Sequence, residues 1–225
     1  MNHKRLRGAV KPLGSLSSQI YERIWHSIIT GELPPGTRLV EMDIAAQMGT
    51  SQGPVRDALQ RLERDGLVQR HARSATFVTS ISTDEMYELF SIRSAIEAFA
   101  IRRTVQRIDG SQCAELQALV EAMRAAAQND DMSALVNYDL EFHRLICEWS
   151  GNIALTQAWN PLYSQIQRFV AQTHKHYFSD LMEIADTHQP IVDVLVAKDI
   201  DRAEEIIKQH IMLIWSRIDT EGKTT

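Results

Sequence analysis

Residues 31–78 read GELPPGTRLVEMDIAAQMGTSQGPVRDALQRLERDGLVQRHARSATFV. Within this stretch, 40–48 is a short helical run stopped by Gly49. A second helix begins at Ser51, whose residue type suits an N-cap. It continues to Asp65 with Val55, Leu59 and Leu62 on one face before Gly66. Residues 67–71 and 76–80 then read as two short strands around a tip at 72–75. Upstream, Ile20, Ile24 and Ile28 have helical spacing that ends at Gly31, Pro34 and Pro35. Three short helices followed by a hairpin predict a winged helix-turn-helix over residues 14–80, behind a basic flexible tail at 1–13.

Composition divides the chain in the same place. Of 225 residues, 44% are hydrophobic, enough for a real core. Residues 1–80 hold 11 Lys and Arg against 7 Asp and Glu, and residues 81–225 hold 13 against 22. A basic third on an acidic body suits a polyanion-binding module joined to one that does not bind polyanions. Cys113 and Cys147 have no paired-ligand spacing, which excludes a disulfide scaffold or a thiolate zinc cluster. No window approaches the ~18 apolar residues of a membrane span, and nothing resembles a secretory signal. The expectation is a cytoplasmic protein without a membrane partner.

Beyond residue 80, glycine and proline are sparse and strand-like alternation is missing. Ser82 and Glu85 form a capping-box pattern, after which Leu89, Ile92, Ile96 and Phe99 recur at steps of three and four. Further helices are expected at 111–128, 131–150, 152–174, 180–197 and 200–219. The fold class is therefore mainly α: the winged helix-turn-helix, then an all-helical bundle over 81–220 and a short tail at 221–225.

Two helices around a tight Gly49-Thr50 turn would lay the second in a DNA major groove. Its solvent side offers Ser51, Gln52, Gly53, Arg56 and Gln60. Gln suits an adenine edge and Arg a guanine edge, while Ser51 and the free amides of the first turn suit a phosphate. Arg38 and the tip residue Arg73 complete the candidate DNA contacts. The quoted run resembles the winged-helix domain of the GntR family of bacterial transcriptional regulators. That resemblance places Ser51, Gln52, Gly53 and Arg56 at the positions that contact an operator. Gln52 stands where the family usually has Arg, and the wing tip lacks the usual glycine, which implies an operator preference of its own.

The helical body contains a polar anomaly. Asp139 and His143 lie one turn apart among Leu135, Phe142 and Ile146. His188 lies between Ile184 and Ile191, and His210 among Ile206, Ile207, Leu213 and Ile214. A carboxylate in an apolar core needs compensation, and a divalent metal supplies it with imidazole and carboxylate ligands. A hydrogen-bonded structural network is the alternative. Residues 83–220 resemble the FCD effector-binding domain of the FadR subfamily, through Leu89…Arg93…Glu97, Asp139-x3-His143 and the later His188 and His210. The resemblance implies a divalent metal, with zinc first and nickel or manganese as alternatives. It also implies that Arg93 lines an effector pocket. Pro190 is a departure, expected to kink or start a helix beside His188. His174 and His176, flanking Lys175, read as sitting at a helix end, where cations are favoured.

Together these readings predict a ligand-responsive regulator, in the simplest case a repressor, binding an inverted-repeat operator as a homodimer. A small carboxylate is the expected effector, because three His and one Asp leave open positions on an octahedral metal. A metal-sensing regulator and a helical metalloenzyme are the competing functions.

Overall fold

A computed structural model describes residues 15–71, 75–80 and 82–222. Two separate apolar clusters form its cores, one in each half of the chain.

The first half opens with α1 (Leu16–Ile29), capped where the Ser15 hydroxyl accepts the Ser18 N–H. Strand β1 (Arg38–Leu39) leads into α2 (Glu41–Gln47) and α3 (Gln52–Arg64). Strands β2 (Val68–His71) and β3 (Ala75–Val78) pair antiparallel, and β1 adds to the free side of β3 with Arg38 opposite Phe77. The sheet thus has three strands in the order β1-β3-β2, where the sequence predicted only a hairpin. Gly49, at φ +62°, turns α2 toward α3 and is left-handed, as a residue with a side chain rarely is. Ile20, Ile24, Ile28, Val55, Leu59 and Leu62 bury the contact between α1 and α3.

Every described element of the second half is a helix. Its elements are α4 (Thr83–Arg107), α5 (Gly110–Gln128), α6 (Met132–Trp149), α7 (Ile153–Trp159), α8 (Tyr163–Tyr177), α9 (Leu181–Asp186), α10 (Gln189–Ala197) and α11 (Ile200–Gly222). The Ser82–Glu85 capping box forms in both directions, and Asp109 with Gln112 makes a second at α5. Helix α11 runs along α4, and α5 along α6.

Two expected helices are each broken by a proline. Pro161 sits in a 3₁₀ turn, Asn160–Leu162, that separates α7 from α8. Pro190 occupies the first turn of α10, where its missing N–H costs nothing, and α9 ends before it. The α4 stripe also differs from a simple core face. Ile92 and Phe99 are more than half exposed, while Met86, Phe90, Ala98, Ile101 and Val105 fill the core.

Helix α8 spans the junction between the two halves. Buried Arg168 donates to Thr79 Oγ1 at 2.9 Å and to the Thr79 carbonyl at 2.6 Å. One turn earlier, Gln165 lies so close to Gly66 that a Cβ there would meet its amide at 2.7 Å. Farther along α8, Val170 and His174 line a cavity in the helical half.

Candidate metal centre and nucleic-acid interface

The first turn of α3 leaves its polar groups open to solvent. Ser51 holds the N-cap position, but its hydroxyl makes no capping bond, so it and the leading amides face solvent. Val55, Ala58, Leu59 and Leu62 bury the opposite face, leaving Gln52, Gly53, Arg56 and Gln60 exposed. One surface cleft brings Arg38, Gln52 and Arg56 together with Arg70, which sequence reasoning missed because a lone arginine on a short strand carries no signal. Glu41 gathers two of these cations, lying 2.9 Å from Arg56 and 3.5 Å from Arg70. Such exposed pairs are weak and exchange readily for phosphate. Arg73 lies outside the described residues.

The four proposed metal ligands converge. Asp139 and His143 project from one face of α6, His188 stands at the N-cap position of α10, and His210 comes from the middle of α11. One ligand atom from each lies within 4.8 Å of the others. Bonds of ~2.0–2.2 Å to a shared ion put neighbouring ligand atoms ~3 Å apart. His143 Nε2 lies 3.1 Å from His210 Nε2, and His188 Nε2 lies 3.0 Å from Asp139 Oδ1. Asp139, His143 and His188 are buried, and His210 is half-buried.

The hydrogen bonds around the cluster set its tautomers. Glu97, wholly buried, lies 2.5 Å from His143 Nδ1, and a carboxylate can only accept, so the ring proton sits there. His188 Nδ1 donates to the Ile184 carbonyl at 2.9 Å. Both rings therefore turn a bare Nε2 inward, and His188 Nε2 has no hydrogen-bond partner. That orphaned buried atom fits a cation between the four residues. Burial drives the pKa of His210 well below its ordinary value and lowers that of His143 despite Glu97, so both rings are neutral, as ligands must be.

Glu97 is the principal residue missed at the centre. It accepts from Arg93 Nε at 2.7 Å and from Trp159 Nε1 at 2.9 Å while it orients His143. Burial opposes its ionisation, yet His143 and Arg93 bring its pKa down to about 2. Such an outer carboxylate fixes the ring and raises its basicity toward a metal.

Comparison with known proteins accounts for both halves. The description "Bacterial regulatory proteins, gntR family" matches residues 16–78, and "FCD domain" matches residues 88–212. A protein of Paenarthrobacter nicotinovorans named "Probable D-xylose utilization operon transcriptional repressor" is 32% identical over 88% of this chain and 86% of its own. The chain belongs to the GntR family.

Other GntR relatives agree. The "HTH-type transcriptional repressor RspR" of Escherichia coli K12 is 28% identical, covering 91% of this chain and 90% of that one. The solved E. coli McbR/YncC structure superposes with a TM-score of 0.73 at 25% identity, covering 92% of this chain and all of the other. The protein is thus a transcriptional regulator and not an enzyme, and regulators of this family bind operator DNA and typically dimerise. No described helix is long and apolar enough to cross a membrane.

Arg93 is expected to line an effector pocket. It is buried and lines a small cavity together with Asp139 and His210. His174 corrects the sequence reading. It is a buried neutral side chain in the same cavity, with burial pulling its pKa down to about 4, rather than a cation at the helix end.

Proposed function

We propose that this protein is a ligand-responsive repressor of the FadR subfamily, working in the cytoplasm. Residues 14–80 bind an inverted-repeat operator through Arg38, Ser51, Gln52, Gly53, Arg56 and Arg73. Residues 81–220 bind the effector and dimerise, with tails at 1–13 and 221–225. Asp139, His143, His188 and His210 hold one divalent ion, with zinc first and nickel or manganese as the alternatives. Bound there, the ion would supply an open Lewis-acid position for a carboxylate. The observation that carries this reading is the shared cavity, which places Arg93 beside two of the four ligands. Two relatives named as repressors support that direction of control.

The test is operator binding by the zinc-loaded protein, with and without short carboxylic acids. Release of the operator by an acid, only when zinc is present, is the expected result. Release by zinc alone would favour the metal-sensing alternative. In the same assay Arg56→Ala is expected to cost ~1–3 kcal/mol of operator affinity. Unchanged affinity and sequence preference would remove Arg56 from the base-reading set.

Dimerisation is assigned to the outer face of α4. Leu89, Ile92, Ile96 and Phe99 follow the 3-4-3 spacing of a coiled-coil seam, with two of them more than half exposed. Glu88, Ala95 and Arg102 line one flank of the seam. A second copy of α4 running antiparallel would set Glu88 against Arg102 around a small central Ala95. Ile92→Glu is expected to give monomers by light scattering and to weaken operator binding. A stable dimer in that variant would move the interface elsewhere.

A further inference from the structure

The cavity beside the candidate metal centre has two kinds of polar lining group. Arg93, Asp139 and His210 are the charged or ligating ones. His174 is the remaining imidazole of the lining, set among Phe90, Val170, Phe178 and Ile184. Its ring packs 5.1 Å from Phe178, it is 9% exposed, and its Nδ1 is buried with no hydrogen-bond partner. Buried polar atoms in native proteins are paired with protein, water or ligand, so this nitrogen needs an occupant of the cavity. The cavity volume of about 30 Å³ holds a water or two, and a ligand's polar group displaces such waters when it reproduces their bonds.

We propose that His174 is the specificity-determining residue of the effector cavity, and that it selects a short acid carrying one carboxylate and a hydroxyl. This rests on the metal-and-carboxylate reading above. The carboxylate belongs with Arg93 and the ligand cluster. A second carboxylate beside His174 would meet no unpaired cation among the described residues, because Arg93 pairs with Glu97, and Arg217, 4.0 Å from the Phe178 ring, pairs with Glu183. An ion without such a partner is strongly disfavoured in an apolar wall. A hydroxyl carries no charge and can both donate and accept, so it satisfies Nδ1 in either tautomer. An acid with a methyl group there leaves Nδ1 unpaired and is rejected, and the small volume excludes longer chains.

The experiment uses the full chain loaded with zinc, and titration calorimetry with matched acids: glycolate against acetate, 3-hydroxypropionate against propionate, 4-hydroxybutyrate against butyrate, and succinate as the diacid. The wild type is expected to bind one hydroxy acid at least ~10-fold more tightly than its partner lacking the hydroxyl, and than succinate. His174→Phe should bring that ratio to within ~3-fold while zinc content, measured by elemental analysis, stays stoichiometric. His174→Gln, which keeps a hydrogen-bonding end, should retain part of the preference and guards against a folding defect in the larger replacement. Acids that bind the zinc-loaded wild type with no hydroxyl preference, or a preference that survives in the His174→Phe protein, would overturn the role of His174 and leave the effector reading standing. Stoichiometric zinc with no acid bound at all would overturn both.

Discussion

Replacing Glu97 with glutamine is expected to lower the unfolding free energy by ~3–5 kcal/mol, the scale for removing one partner of a buried ion pair. The carboxylate has no exposed surface and serves Arg93, His143 and Trp159 at once. Glutamine keeps the shape but removes the charge, so the Arg93 guanidinium, itself 3% exposed, loses its directly bonded counter-ion. Its amide can also no longer accept from three donors. Against a typical total of ~5–15 kcal/mol, the loss is large. For a chain of this size it corresponds to a fall in melting temperature of ~6–20 °C, measured by circular dichroism. A cost under ~1 kcal/mol would mean that water or another group compensates Arg93.

The second large effect concerns metal and acid together. Free zinc at ~1,000 times its Kd should stabilise the fold by ~4 kcal/mol, and a chelator should remove that gain. His210→Ala should abolish it, because one of four ligand atoms is lost. Acidification should act in the same direction. The pKa values of His143, His174 and His210 are all depressed by burial, that of His174 to about 4. Between the unfolded histidine value of ~6.5 and the folded values, the unfolded chain binds protons that the folded one refuses. Stability is then fully present above ~6.5 and declines as pH falls toward 4. The decline should be steeper with zinc bound, since protons also compete for its ligands. Thermal melts across that window, with zinc and with chelator, measure both effects. No gain from zinc, nickel or manganese would make the four residues a hydrogen-bonded network.

Which residues were legible follows from how local their signals are. Asp139 and His143 stand out because a regular apolar stripe surrounds them on one helix, and helical periodicity alone turns them inward. Arg93 and Glu97 obey the same geometry, but α4 is apolar on two faces. The exposed Leu89–Phe99 stripe has the more regular spacing and hides the buried one. Only resemblance singled out Arg93. Strand β1 is two residues long and exists because β3 offers it a ladder, so no alternation could announce it. The burial of His174 depends on how α8 lies in the helical half, a contact between distant parts of the chain. Its neighbours Lys175 and His176 suggest solvent instead.

Helix α8 touches the cavity with Val170 and His174 and grips the Thr79 segment with Arg168. If an element shared in this way couples cavity and operator, the coupling free energy has no preferred direction. If an acid in the cavity weakens operator binding by some factor, operator DNA must weaken acid binding by the same factor. A regulator seated on its promoter would then be a poorer detector than one free in solution. The effector concentration that clears a gene would rise with the affinity of its operator, so operators of graded strength would give one protein several thresholds.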